Sequence, residues 1–179
     1  GLSVGDVLMI YQAQGATITT TNTATYGRVV SLDNAGRYEL VSIVAITGSS
    51  ITINTACSAG LQFNYTAGRT QAIRVPQYTS LTVSGAGSIV ATPWNGTQGG
   101  VVAAIVQGTA SIGGAGISAA GAGFRGGVLD NTTTAAGTDV LLYVGAAAAD
   151  GGEKGESIAG FQAGYDSLGG RYGRGAPAN

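Results

Sequence analysis

Short runs of alternating apolar and polar residues, broken by turn signals about every eight to twelve positions, set the character of this chain. Val7–Gln12 alternates, with Val7, Met9 and Tyr11 on one face of a strand. Gln14-Gly15 turns the chain, Tyr26–Ser31 reads as a second strand, and Asp33-Asn34-Ala35-Gly36 is a strong hairpin signal. A long strand follows from Arg37 to Ile46, and Gly48-Ser49-Ser50 turns it into Ile51-Thr52-Ile53. Such a meander of short strands predicts a small barrel or sandwich. No stretch carries the spacing of an amphipathic helix.

The rhythm changes after Gln71–Pro76. Pro76 has no N–H to give to a sheet ladder and suits a strand end or linker. Beyond it, Ser80–Val83, Ser88–Ala91, Val101–Val106, Thr109–Ile112 and Ile117–Ala119 are short strands separated by Gly-containing corners. That pattern is expected of successive faces of a parallel β-solenoid. From Gly121 the chain is Gly-rich, with Val140–Val144 as its clear apolar strand. Ile158, Phe161, Tyr165, Leu168 and Tyr172 recur within it and predict ordered loops rather than a disordered tail. The expected fold is therefore all-β: a barrel- or sandwich-like part over 1–75, a solenoid-like part over 76–145, and a Gly-rich closing segment over 146–179.

Composition narrows the chemistry. The 179 residues include 32 Gly, one Cys, no His and 9% charged residues, with a net charge of −1. General acid–base and nucleophilic catalysis lean on His, Cys, Lys and paired carboxylates. Nothing in the spacing of the few acids selects a catalytic pair, so no enzyme is expected. The charge balance gives no reason to expect nucleic acid, and no apolar run is long enough to span a bilayer. Cys57 alone forms no internal disulfide and reads as a small buried apolar residue. Asn64, Asn95 and Asn131 head Asn-x-Ser/Thr sequences, which arise by chance in a Thr- and Asn-rich chain.

Four groups of residues invite a functional reading. Thr17, Thr19, Thr21, Thr23 and Thr25 would share one face of an extended strand. That face is either a hydroxyl array for water, ice or sugar, or a β-branched edge strand, and it is the candidate for pairing with another subunit. Asp150, Glu153 and Glu156 are a candidate Ca²⁺ site, with Asp130-Asn131 and Asp139 a weaker one; the alternative is a solvated acidic loop around Lys154, with no cofactor. Trp94 either anchors a corner or stacks on a sugar. Arg125, in Gly123–Gly127, and Arg171 with Tyr172, in Gly170–Arg174, either contact sugars or anions or cover thin Gly layers.

An ordered set of motifs then suggests a family. Gly5-Asp6-Val7-Leu8-Met9-Ile10, Asn34–Glu39, Gln71–Tyr78, Pro93–Gly96, Gly123-Phe124-Arg125-Gly126-Gly127, Gly152–Glu156 and Gly169–Asn179 follow one another over nearly the whole chain. Together they resemble a module of large secreted cell-surface adhesin and gliding-associated proteins of Bacteroidota and myxobacteria. The resemblance implies export, assembly at the cell surface, and adhesive or structural work, with no defined active site. In such proteins a longer Gly-rich tract follows the Ala-Pro-Ala-Asn ending, so the chain is expected to be part of something larger or a compact relative. The expected function is a non-catalytic extracellular module that builds a fibre or filament by strand pairing with itself. The alternative is a binding tip for surface glycans or a receptor, as in an adhesin or tail fibre.

Overall fold

The computed structural model describes residues 1–55, 60–128, 142–160 and 162–178. Cys57, Asp130, Asn131, Asp139, Val140 and Phe161 lie outside the described residues. The fold is all-β; the one α-helix among the described residues, α1 (Gln162–Tyr165), has four residues. Two compact units form, each from two separate stretches: Gly1–Gln12 with Arg37–Gly123, and Ala13–Gly36 with Phe124–Asn179.

The first unit holds a four-stranded antiparallel sheet in the order β5-β4-β1-β6. Its strands are β1 (Val7–Gln12), β4 (Tyr38–Thr47), β5 (Ser50–Asn54) and β6 (Thr70–Val75). β1 lies between β4 and β6, with Leu8 opposite Val41 on one side and Arg74 on the other. Leu8, Val41 and Ile43 form the buried cluster on one face, with Ile10 and Ile53 packed against it. The expected turn at Gly48–Ser50 does join β4 to β5, and the register shifts between Ile43 and Ala45. Asp6 closes one end through a fork of hydrogen bonds from Arg74, at 3.0 Å each. That fork holds the Asp6 carboxyl below the usual carboxylate range, helped by the Ser3 N–H.

The remaining strands of this unit are paired differently. β7 (Gln77–Tyr78), β8 (Leu81–Val83) and β9 (Ser88–Val90) form one pass of the chain. β10 (Ile105–Val106), β11 (Ala110–Ile112) and β12 (Gly116–Ser118) form the next. Each strand of the second pass pairs in parallel with its counterpart in the first. The offset is 28 residues at β7 (105 − 77), 29 at β8 (110 − 81) and 28 at β9 (116 − 88). Val83 of β8 is buried, as are Ala91 and Trp94, which follow β9 in the chain.

In the second unit, the only named strand pair among the described residues is β2 (Thr17–Ile18) with β3 (Val29–Ser31), antiparallel. Elsewhere among the described residues of this unit, Gly-rich segments are cross-linked by backbone hydrogen bonds. Tyr172 exchanges bonds with Gly145, and Gly173 N–H donates to Gly152 at 3.1 Å. Val144, expected in a strand, lies in a bend. Tyr26, expected in a strand, sits in a turn and is only 1% exposed.

Candidate functional site

The Thr-rich segment is not one extended strand. Within it only Thr17 and Ile18 form a strand, and residues 21–27 bend and turn. Two contacts fold it back. Tyr26 is drawn into the interior, and Asn22 Oδ1 accepts the Tyr143 N–H at 2.7 Å. The Thr21, Thr23 and Thr25 hydroxyls bond to one another along the turn, at 3.3 and 2.9 Å, and Thr17 donates to Asp33. Thr19 continues the pairing through backbone bonds with Gly27 and Arg28.

The three acids of the candidate Ca²⁺ site have gone to different partners. Asp150 accepts the Ala147 N–H at 2.8 Å, and Glu153 accepts the Val128 N–H at 3.0 Å. The Glu156 carboxylate, with a fully buried side chain, is gripped by Arg125. Nε donates to Oε2 at 3.0 Å and Nη2 to Oε1 at 2.7 Å, and the Arg125 backbone N–H adds a third bond at 3.0 Å. Glu156 N–H returns a bond to the Arg125 carbonyl at 2.8 Å. Among the described residues no three acidic or sulfur ligands converge on one point.

Lys154 was expected to pair with its acidic neighbours in solvent; it is instead only 4% exposed. Its Nζ donates to the carbonyls of Tyr143 at 2.7 Å, Gly173 at 3.2 Å, and Gly175, and lies 4.5 Å from the centre of the Tyr26 ring. Alternation explains the inversion. Glu153 and Lys154 are neighbours in extended chain, so their side chains leave on opposite sides. Burial lowers the Lys154 pKa to about 8. Close approach of the Gly motifs builds this arrangement. A Cβ on Gly127 would overlap the Glu153 carbonyl, so the Gly123–Gly127 and Gly152–Glu156 motifs lie backbone to backbone.

The other candidate binding residues are placed as follows. Trp94 is 8% exposed and donates its backbone N–H to the Ala122 carbonyl at 3.0 Å. Arg171 lies between Glu153 at 3.8 Å and Asp166 at 4.0 Å, with its guanidinium 5.5 Å from the Tyr172 ring centre. Arg125 and Arg171 thus meet carboxylates of their own chain. A shallow cleft beside β6 is lined by Gln71, Thr92, Gln98 and Val101, and the Gln71 amide within it is bonded both ways to Gly99.

The feature with most capacity for interaction is the edge of the parallel pairs. Bonds from Leu81 N–H to the Thr109 carbonyl and from Gly113 N–H to the Val83 carbonyl put residues 109, 111 and 113 on the inner side of the ladder. Alternation along a parallel ladder then turns the N–H and C=O groups of Ala110 and Ile112 outward. The same reasoning, from Leu81 and Val83, turns Thr82 toward the opposite edge. Among the described residues each of these sheets has two strands, so neither edge has a strand partner. All three β11 residues are exposed, with Ile112 at 46% and Ile117 of β12 at 48%. Neither 77–90 nor 105–118 contains a charged residue or a proline. The sequence carried a signal for this pairing: Gly85-Ala86-Gly87 recurs as Gly114-Ala115-Gly116. Comparison of the chain with protein-family models, curated proteins and solved structures finds no match.

Proposed function

We propose that the chain is a non-catalytic extracellular structural module that self-associates through β-strand pairing. The observation that carries this reading is the pair of uncharged, parallel edges on β7–β9 and β10–β12 that have no strand partner among the described residues. Soluble proteins blunt exposed edges with charge, proline or a covering loop, because an unpaired row of backbone groups is a template for another strand. Stacks of parallel turns normally end in polar caps. These edges have neither charge nor proline, and Tyr78, Val90, Ile112 and Ile117 on their strands are exposed.

The near-constant offset supports reading the two passes as a short solenoid, with the antiparallel sheet as the barrel-like part beside it in sequence. The Gly motifs of the second unit are then structural, since Arg125, Glu156 and Lys154 hold backbone segments to one another. The motif resemblance supports a secreted, cell-surface setting. Light scattering and electron microscopy across a concentration series test the reading. Concentration-dependent growth of regular assemblies is expected; a protein that stays monomeric at every concentration overturns it.

A further inference from the structure

We infer that copies of this chain stack head to tail, the β10–β12 edge of one copy pairing in parallel with the β7–β9 edge of the next. The inference rests on the self-association reading above and specifies its geometry. Three observations lead to it. The first is that the two edges are the two sides of one repeat: β8 and β11 pair at an offset of 29, and β7–β10 and β9–β12 at 28. A third pass, supplied by another copy, would extend the same ladder.

The second is that the outward backbone groups match. On β11 they belong to Ala110 and Ile112, and on β8 to Thr82, as alternation along the ladder requires. The third is a matched corner. Gly85 and Gly114 occupy equivalent places with nearly equal backbone angles, φ +59° and +62°. A Cβ on Gly114 would overlap the Gly85 carbonyl, because the second pass lies tightly on the first. A Cβ on Gly85 would meet nothing within 4 Å. The space below Gly85 is therefore what the carbonyl of a neighbour's Gly114 fills if the repeat continues across copies.

Such an interface joins two different patches, so it does not close on itself by a two-fold axis. Repeated, it gives an open filament. Edge-to-edge pairing of identical strands would instead give closed dimers.

Two single substitutions separate these outcomes. Ile112→Pro removes an outward N–H from the upper edge without touching the inner ladder. Gly85→Ala puts a methyl into the space below the lower edge. Ala110→Pro and Thr82→Pro serve as second variants for the two edges, and amide exchange checks that each is folded. The wild-type chain is expected to form filaments. Either variant alone is expected to raise the concentration needed for assembly by about a hundredfold or more, since each contact across the edge is repeated along the ladder. An equimolar mixture of the two is expected to give a two-chain species and nothing longer, because one intact edge remains on each.

If wild type assembles and both variants assemble equally well, the contact lies elsewhere; this inference falls while self-association stands. If one variant alone forms stable dimers, the pairing is two-fold and the head-to-tail geometry falls. If wild type never assembles, the self-association reading fails and takes this inference with it.

Discussion

Lys154 is a charged residue whose position is set by backbone rather than by a counter-ion. Its ammonium donates to three carbonyls, those of Tyr143, Gly173 and Gly175, and so ties three points of extended chain together. Truncation to Ala would take this donor from the Gly173 and Gly175 carbonyls and leave the Tyr143 carbonyl with the Gly175 N–H alone, and is expected to cost about 2–4 kcal/mol at pH 7. The pH dependence has a defined sign. Burial puts the folded pKa at about 8, below the ordinary lysine value of 10.5. Between those values the unfolded chain keeps a proton that the folded chain has released, so the free energy of unfolding rises with pH across that window. Tyr26 opposes this from about pH 10, because burial raises its own pKa to about 12. Amide exchange at Gly173 and Gly175 is therefore expected to slow from pH 8 to pH 10, after correction for the intrinsic pH effect. Lys154→Met is expected to abolish that trend. A wild-type trend of the opposite sign would show that the carbonyl cage outweighs burial.

Arg125 and Glu156 present a different case at the same scale. The carboxylate is fully buried while the guanidinium remains half exposed. Removing the Arg leaves a buried charge with one backbone N–H, from Arg125 itself, as its remaining donor from that residue. Arg125→Ala is expected to lower the melting temperature of the second unit, because it leaves that buried carboxylate without its charged partner. Arg125→Lys should recover the charge but not the fork, and fall between. Equal melting temperatures for the Lys variant and wild type, read by tyrosine fluorescence, would count against the two-point grip. Neither role was legible in sequence. The Gly-flanked Arg and Glu advertise tight turns, but their meeting depends on two distant motifs lying backbone to backbone.

Among the elements, Gly85 and Gly114 offer a matched pair for measuring how tightly the two parallel passes are stacked. Both require a positive φ, and any residue with a Cβ pays roughly 1–2 kcal/mol for it. Only Gly114 also faces a carbonyl. Gly114→Ala is therefore expected to exceed Gly85→Ala in destabilisation by about 1–3 kcal/mol, the usual range for overpacking. Denaturant melts followed by Trp94, buried a few residues beyond β9, would report the difference under dilute, unassembled conditions. Equal costs would mean that the passes are held apart. The strands themselves were legible: β1, β4, β5, β8, β9 and β11 lie where alternation and turn residues put them. The Thr-rich strand was not, because periodicity reports which side of a segment is polar and says nothing of a buried Tyr26 bending that segment back.

At the scale of the molecule, the chain interleaves its units. Gly1–Gln12 belongs with Arg37–Gly123, and Ala13–Gly36 with Phe124–Asn179. Local patterning cannot reveal this, since a strand's alternation does not name its partner. The consequence is that β1, at the start of the chain, is the centre of the antiparallel sheet. It pairs along its length with β4 on one side and β6 on the other, and Leu8 completes the buried cluster with Val41 and Ile43. Deleting residues 1–12 would strip a paired edge from both neighbours at once and open that cluster. A central strand cannot be replaced by collapse of its flanks, because β4 and β6 have no pairing with each other to fall back on. Loss of amide protection throughout residues 38–47 and 70–75 is expected, read by hydrogen exchange and mass spectrometry. A synthetic peptide of residues 1–12, added back, should restore it if backbone pairing is what β1 contributes. Protection that survives the deletion would show instead that β4, β5 and β6 hold their places without the central strand.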